Sequence, residues 1–501
     1  GLTSQSVPEK GRRILLRNNA NLSTGGSATD VTDEVHPELS ARIVTAAQMV
    51  GLDIAGVDLV AETVAKPMEE QRAGIVEINA APGLRMHLSP SFGKARPVGE
   101  AIVSTMFGEG DNARIPVVAV AGTNGKTTTV RLTAHIIGTS GKRVGMTNSD
   151  GVYIGQRCID TGDCSGPRSA RNVLMHPDVD AAVFETARGG ILREGLAFDQ
   201  CDVAIVTNIG MGDHLGMNFI STVDSLALVK RVIVQNVAPH GSAVLNAADP
   251  MVLGMGEVCA GSVILFSSDK QLPALNTHRA QGKRVVFLDG AHIVCSEAGK
   301  EHRIPLKAIP LTRNGTITFQ TENAMASIAA AWALGLDWSI IEMGLATFVN
   351  DAQTAPGRFN VFDYRGATVI ADYGHNPDAI LALIQAIETI PANKRMVVIS
   401  GAGDRRDEDI IQQTEILGKS FDQAILYQDQ CQRGREDGEV LALLQLGLKN
   451  ASRTKEIVEI RGEFTAIDTA LAKLEPGHLC LILVDQVQEA LDHLAKRIAE
   501  A

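Results

Sequence analysis

The sequence predicts an α/β fold built as successive α/β segments along one chain, and three observations predict it. Short apolar strands alternate with helical stretches from about residue 115 to the C-terminus, the pattern of parallel sheets covered by helices. A Gly-rich turn, Gly122-Thr123-Asn124-Gly125-Lys126-Thr127-Thr128, joins an apolar strand to a helix. The alternation halts over residues 350–358, around Pro356-Gly357, and then resumes.

Composition sets the outer limits. At 501 residues the chain is too long for one ordinary core, so several domains are expected. Hydrophobic residues at 45% and charged residues at 21% describe a globular chain, and aromatics at 4% leave its cores to Val, Ile, Leu and Ala. A net charge of −12 argues against a general nucleic-acid binder, which needs a basic face, but allows a local anion site on a loop. No run approaches the roughly 20 apolar residues of a membrane span. The opening Gly1-Leu2-Thr3-Ser4-Gln5 lacks the basic and apolar regions of a secretion signal. Seven cysteines, scattered and without a C-x-x-C pair, suggest neither a zinc knuckle nor a disulfide framework, and a reducing cytoplasm fits them.

Element by element, the first segment runs to about residue 112. An apolar run at 13–16 leads into a polar loop at 18–30. An amphipathic helix is expected at 37–50, short strands at 54–60 and 74–78, and a helix near 98–107. Residues 108–112 read as a linker. The second segment, 113–355, opens on the strand at 116–121 and continues with strands at 181–184, 203–207 and 242–245. Helices are expected at 223–236 and 322–334. The third, 356–501, repeats the theme with strands at 368–371, 395–399, 423–426 and 479–483.

The Gly-rich turn carries the clearest chemistry. A buried strand, a glycine turn and a helix beginning at Lys126 aim free backbone N–H groups at phosphate oxygens. Lys126 is placed to reach the β- and γ-phosphates, and the Thr127 hydroxyl to contact Mg²⁺. The common phosphate-loop pattern opens on glycine where this chain has Val120. Glu185, in Phe184-Glu185-Thr186-Ala187-Arg188, ends an apolar strand, where a carboxylate can hold Mg²⁺. In the first segment, Asp58 lies in Gly56-Val57-Asp58-Leu59. Glu77 and Asn79 lie in Glu77-Ile78-Asn79-Ala80-Ala81-Pro82-Gly83, where alternation puts both on one strand face as paired oxygen donors for a metal.

The G-T-N-G-K-T-T form resembles the nucleotide loop of Mur ligases and folylpolyglutamate synthases, and further residues match that group in order. The resemblance implies that Gly122, Thr123, Asn124, Gly125, Lys126, Thr127 and Thr128 bind ATP and that Glu185 holds Mg²⁺. His214, in Gly212-Asp213-His214-Leu215-Gly216, corresponds to a histidine that helps hold a second metal. Asn323 corresponds to an asparagine near the adenine, a role compatible with a place near a helix N-terminus. Arg358, in Pro356-Gly357-Arg358-Phe359, and Asp372, in Asp372-Tyr373-Gly374-His375-Asn376-Pro377, correspond to residues the last domain brings to ATP. Lys230 stands where the superfamily often carries a carbamylated lysine bridging to the second Mg²⁺, and an unmodified helix lysine is the other reading.

The D…E-x-N-x-x-P-G pattern of the first segment resembles the end of an ATP-grasp domain, with Arg17 and Asn21 in the preceding loop. The expected fold is therefore a partial ATP-grasp domain, then a Mur ligase central P-loop domain, then a Mur ligase C-terminal Rossmann-like domain. That combination resembles the cyanophycin synthetase family. Leu22-Ser23-Thr24-Gly25-Gly26, Thr161-Gly162-Asp163-Cys164-Ser165-Gly166-Pro167, Gly403-Asp404-Arg405-Arg406-Asp407-Glu408-Asp409 and Val484-Asp485-Gln486-Val487 agree with it.

The resemblance implies ATP and Mg²⁺ as cofactors, with arginine, aspartate and a cyanophycin primer as partners, and a homo-oligomer. It implies no nucleic acid and no membrane. Arginine would be joined to an aspartate side chain through an acyl phosphate. The first segment is short for a whole ATP-grasp site, so the expectation is that aspartate addition is lost or depends on a separate N-terminal half. A cell-wall or folate Mur-type ligase, an enzyme polymerising aspartate–arginine dipeptides, and a silent nucleotide-binding scaffold are the competing readings. The intact Lys126, Glu185 and His214 disfavour the dipeptide enzyme, whose nucleotide site is degraded.

Overall fold

The computed structural model describes residues 2–14, 21–210, 219–428 and 433–500. The chain divides into two compact units, Gly1–Arg114 and Ile115–Ala501. No helix among the described residues is long and apolar enough to cross a membrane.

The first unit is thin. Its helix Pro37–Val50 starts with Pro37 at the first turn, is capped by His36 accepting from the Glu38 N–H, and ends at Gly51 with φ 79°. Strands Gly56–Val60 and Gly74–Asn79 form an antiparallel pair that sets Asp58 directly opposite Glu77. Arg96 clamps the unit by donating to Asp30 and Asp33 at 2.7 and 2.8 Å. Apolar side chains on its surface, including Met49, Val76 and Phe92, stay exposed, and Leu39 is its fully buried hydrophobic among the described residues.

The second unit holds two sheets. The larger has eleven strands, with the P-loop strand Val117–Ala121 near its middle. Cys201–Val206, Val237–Asn246, Ser262–Ser267 and Val285–Asp289 extend it to one side, and Ala181–Glu185 and Val144–Asn148 to the other, all parallel. The expectation of a parallel sheet holds for this centre. Both flanks are antiparallel: Gly151–Ile154 and Arg157–Thr161 at one end, His292–Glu297 and Lys300–Pro305 at the other. Tight turns make those reversals, at Gly290 with φ 58° for example, so no helix is needed to cross over.

Both faces of the parallel centre of the large sheet are buried, which is why strands such as Val117–Ala121 and Ala181–Glu185 are largely apolar runs. Val118 and Val120 pack into the core beneath helices Lys126–Thr139 and Thr318–Ala333, while Val117, Ala119 and Ala121 face the opposite core. Helix Thr318–Ala333 is rich in alanine, which lets it lie close to its neighbours. The single helix expected over 223–236 is two, Val223–Lys230 and Val232–Gln235, broken at Arg231.

The smaller sheet has six strands in the order Asn360–Tyr364, Ala367–Asp372, His478–Leu483, Lys394–Ile399, Gln423–Gln428, Glu456–Arg461. All are parallel except the first. In open α/β sheets ligands sit beyond the carboxyl ends of the strands. Here the carboxyl ends of strands from both sheets border one cavity of about 1250 Å³.

Candidate active site

The P-loop is shaped by two glycines whose backbones approach other groups closely. A Cβ on Gly122 (φ 153°) would stand 1.9 Å from the Thr207 hydroxyl, and one on Gly125 (φ 84°) would stand 2.4 Å from Asn323 Oδ1. Gly125 caps helix Lys126–Thr139 without a side-chain partner, and the helix's first internal bond is Thr129 N–H to Gly125 O at 3.0 Å. The N–H groups of Lys126, Thr127 and Thr128 therefore fall outside the helical ladder, at the positive end of the helix dipole, along the cavity wall.

Neighbouring strand ends hold the loop. Asn208 accepts from the Asn124 N–H at 2.9 Å and donates to the Asn124 carbonyl at 3.2 Å, and the Thr207 hydroxyl donates to that carbonyl at 2.6 Å. Lys126 Nζ donates to Thr123 O at 2.9 Å. Lys230 is 1% exposed and donates to Gly122 O at 2.7 Å, so its ammonium braces the loop from beneath.

Beside the loop lies an oxygen cluster. Glu185, 3% exposed, accepts from Thr127 Oγ1 at 2.9 Å, from Ser149 Oγ at 2.8 Å and from the Ser149 N–H at 3.2 Å. Ser149 follows strand Val144–Asn148, which lies next to Ala181–Glu185 in the sheet. Arg358, at the end of the 350–358 break, donates to Thr127 Oγ1 at 3.2 Å and lies 3.5 Å from Asp150, whose carboxylate also pairs with Arg131 at 2.9 Å. The small sheet reaches the loop once more, through Asn376 and Asn124, whose side-chain amides bond to each other at 2.8 and 3.2 Å.

Asp372 accepts from the Phe359 and Gly374 N–H groups at 2.7 and 2.6 Å. Burial pushes its carboxyl up to about 6, against the opposing pull of the Arg358 charge and those two N–H groups. It thus shapes the turn that presents Arg358.

The structure therefore brings Lys126, Thr127, Glu185, Asn323, Arg358 and Asp372 to one cavity. His214 lies outside the described residues, as does Arg17. Asp58, Glu77 and Asn79 belong to the first unit, where Asn79 donates to Glu77 Oε1 at 3.1 Å. The acidic run after Gly403 is committed internally: Arg406 pairs with Asp409, and Arg435 with Asp407, each at 2.7 Å. Sequence reasoning missed Ser149, Asp150 and Asn208. The one signal for the first two is that Asn148-Ser149-Asp150 is a polar run placed directly after an apolar strand.

Comparison with known proteins agrees with this geometry. Residues 120–331 match the Mur ligase middle domain, and residues 357–483 match the Mur ligase glutamate ligase domain. Over these stretches the chain belongs to the Mur ligases. At the level of whole proteins it is similar to cyanophycin synthetase. It is 40% identical over 499 residues to the cyanophycin synthetase of a Synechocystis species, and 41% identical over 499 residues to that of Crocosphaera subtropica. Each alignment takes in 99% of this chain and 57% of the relative, so the chain spans little more than half the length of these proteins. Among solved structures, a bifunctional folylpolyglutamate synthase/dihydrofolate synthase with Mn, AMPPNP and L-glutamate bound shares the fold. Its TM-score is 0.58 over 77% of this chain and 90% of that one, at 17% identity.

Proposed function

We propose that the chain is an ATP-dependent amide-bond ligase of cyanophycin synthesis, joining arginine to the side-chain carboxylate of aspartate in a poly-aspartate backbone. The observation that carries this reading is the meeting, at one cavity, of an open helix N-terminus with Lys126, the oxygen cluster Thr127–Glu185–Ser149, and Arg358 from the opposite domain.

A carboxylate is a poor acceptor for an amine because its oxygen leaves badly. A carboxylate oxygen attacks the γ-phosphorus of ATP, the bond to the β-phosphate oxygen breaks, and ADP leaves behind an acyl phosphate. The amine nitrogen of arginine then attacks the acyl carbon, phosphate departs, and the nitrogen loses a proton. The N–H groups of Lys126, Thr127 and Thr128 and the Lys126 ammonium bind the β- and γ-phosphates, and Arg358 meets charge on the transferring group. The donor set of Thr127, Ser149 and Glu185 is entirely oxygen, which suits Mg²⁺. Bound there, Mg²⁺ would neutralise phosphate charge. Lys230 supports the loop, and His214 is assigned to a second metal.

We read the domains as 1–112, the C-terminal part of an ATP-grasp domain, 113–355, the Mur ligase central domain, and 356–501, the Mur ligase C-terminal domain. The unit boundary after Arg114 and the facing of Asp58 and Glu77 on one hairpin support the first of these.

The test is incubation with ATP, Mg²⁺ and a peptide bearing free aspartate side chains, with and without arginine. Expected are ADP release and a mass gain of one arginine per modified aspartate, with hydroxylamine trapping the acyl phosphate as a hydroxamate when arginine is omitted. Absence of both hydroxamate and arginine adduct from a folded protein would refute the reading.

A further inference from the structure

One wall of the cavity is left unused by phosphate chemistry. Strands Ala181–Glu185 and Val144–Asn148, which carry the oxygen cluster, lie to one side of the P-loop strand, and Ser262–Ser267 lies to the other. With the reacting end of the triphosphate at the oxygen cluster, the nucleoside is directed to that other side. There the cavity is lined by Phe266, Phe319, Glu322 and Asn323. The last three share one face of helix Thr318–Ala333. Asn323 touches the P-loop at Gly125, so this wall begins where the phosphate loop ends.

Glu322 is the unusual member. Burial pushes its carboxyl up, and Ser268 Oγ donates to its Oε1 at 3.0 Å. Among the described residues no cation offsets its charge. A carboxyl withdrawn from water and held by one hydroxyl is costly in itself. It becomes useful when a ligand brings a donor to the second oxygen.

We propose that Glu322, oriented by Ser268, reads the base of the nucleotide by accepting from the exocyclic amino group of adenine, so that the site selects ATP over GTP. Adenine carries an amino group where guanine carries a carbonyl oxygen. A carbonyl facing Oε2 sets acceptor against acceptor, with no proton between them. Phe319 supplies apolar surface on which a base can lie. This rests on the ATP-dependent reading above, and it names the element that fixes the nucleotide.

The test is calorimetric titration of the whole chain with ATP and with GTP, repeated for Glu322→Gln, Ser268→Ala and Lys126→Ala, with a melting curve for each variant. The wild-type protein is expected to bind ATP about ten- to a hundredfold more tightly than GTP, the penalty of a buried acceptor left unmatched. Glu322→Gln can turn its amide donor towards a carbonyl and should narrow that ratio by about tenfold. Ser268→Ala, which leaves the carboxyl in place but unsteered, should narrow it less. Equal affinities in the wild type, or a Glu322→Gln ratio matching the wild type, would overturn the base reading. If Lys126→Ala still abolished binding in that case, the ligase reading would stand. A folded wild-type protein that bound neither nucleotide would overturn both.

Discussion

Replacing Glu185 with glutamine separates the metal role of this carboxylate from its structural role. Oε2 accepts from Thr127 Oγ1 and the Ser149 N–H, and Oε1 accepts from Ser149 Oγ. A glutamine with its oxygen at the Oε2 position keeps the first two bonds. Its amide nitrogen then donates to Ser149 Oγ, a hydroxyl that can turn to accept. All three contacts survive, and a buried negative charge disappears. Bonds to a neutral amide are weaker than bonds to a carboxylate, while relief of the buried charge is favourable, so stability should change by no more than about 1 kcal/mol. Phosphoryl transfer should fare differently, because a neutral amide neither holds Mg²⁺ well nor offsets its charge. The rate should fall about a hundred- to a thousandfold, and the Mg²⁺ concentration for half-maximal rate should rise at least about tenfold. The assay is arginine-dependent ADP release across a Mg²⁺ titration, beside a urea melt. A variant whose rate falls while its Mg²⁺ midpoint stays at the wild-type value would refute the metal assignment. A variant that loses several kcal/mol would refute the bond-by-bond argument.

Three further outcomes are expected. Lys126→Ala should lower ADP release by about a thousandfold with an unchanged melting curve, because the side chain's one loop contact, to Thr123 O, is half-exposed; wild-type turnover would remove this loop from the active site. Gly125→Ala forces a Cβ to within 2.4 Å of Asn323 Oδ1 in a left-handed backbone, so it should lose about 2 kcal/mol or more and bind ATP weakly; a stable, tight-binding variant would contradict the described turn. Asp372 titrates at about 6, up from 3.8, so the folded state holds the extra proton between these values and stability from this group falls as pH rises through that window. The difference, about 3 kcal/mol in all, should vanish in Asp372→Asn when urea melts at pH 4 and pH 7 are compared, and a slope equal to wild type would refute it.

What could be read from the sequence follows from how local each feature is. The P-loop was legible because strand, turn and helix cap lie within a dozen or so residues, and a phosphate-cradling backbone needs glycines at fixed places. Glu185 and Asp372 were legible as acids ending apolar strands. Ser149 was not, since its place beside Glu185 depends on Val144–Asn148 docking next to Ala181–Glu185, a pairing between strands far apart in the chain. Asn208 was hidden for the same reason. The antiparallel flank Val285–Pro305 lacks the helical spacers that marked the centre of the sheet, so the alternation rule passed over it. The Asn124–Asn376 pair spans two domains, and no local pattern announces it.

The contacts between the two sheets also bear on how the proposed reaction would begin. Thr127 Oγ1 gives its proton to Glu185 and takes one from Arg358, which leaves one lone pair of that hydroxyl open. Mg²⁺ held by Glu185 and Thr127 would use that lone pair, so its binding would not require Arg358 to depart. The guanidinium is steadied beside the oxygen cluster: the Tyr373 ring lies 5.3 Å away, Asp150 is 3.5 Å away, and the turn that carries it is tied to Asp372. An arginine fixed by these neighbours is in place before the nucleotide arrives, so little reorganisation is needed when charge develops. In the proposed ligase, the smaller sheet would thus supply a preset cation to the phosphoryl group bound at the larger one.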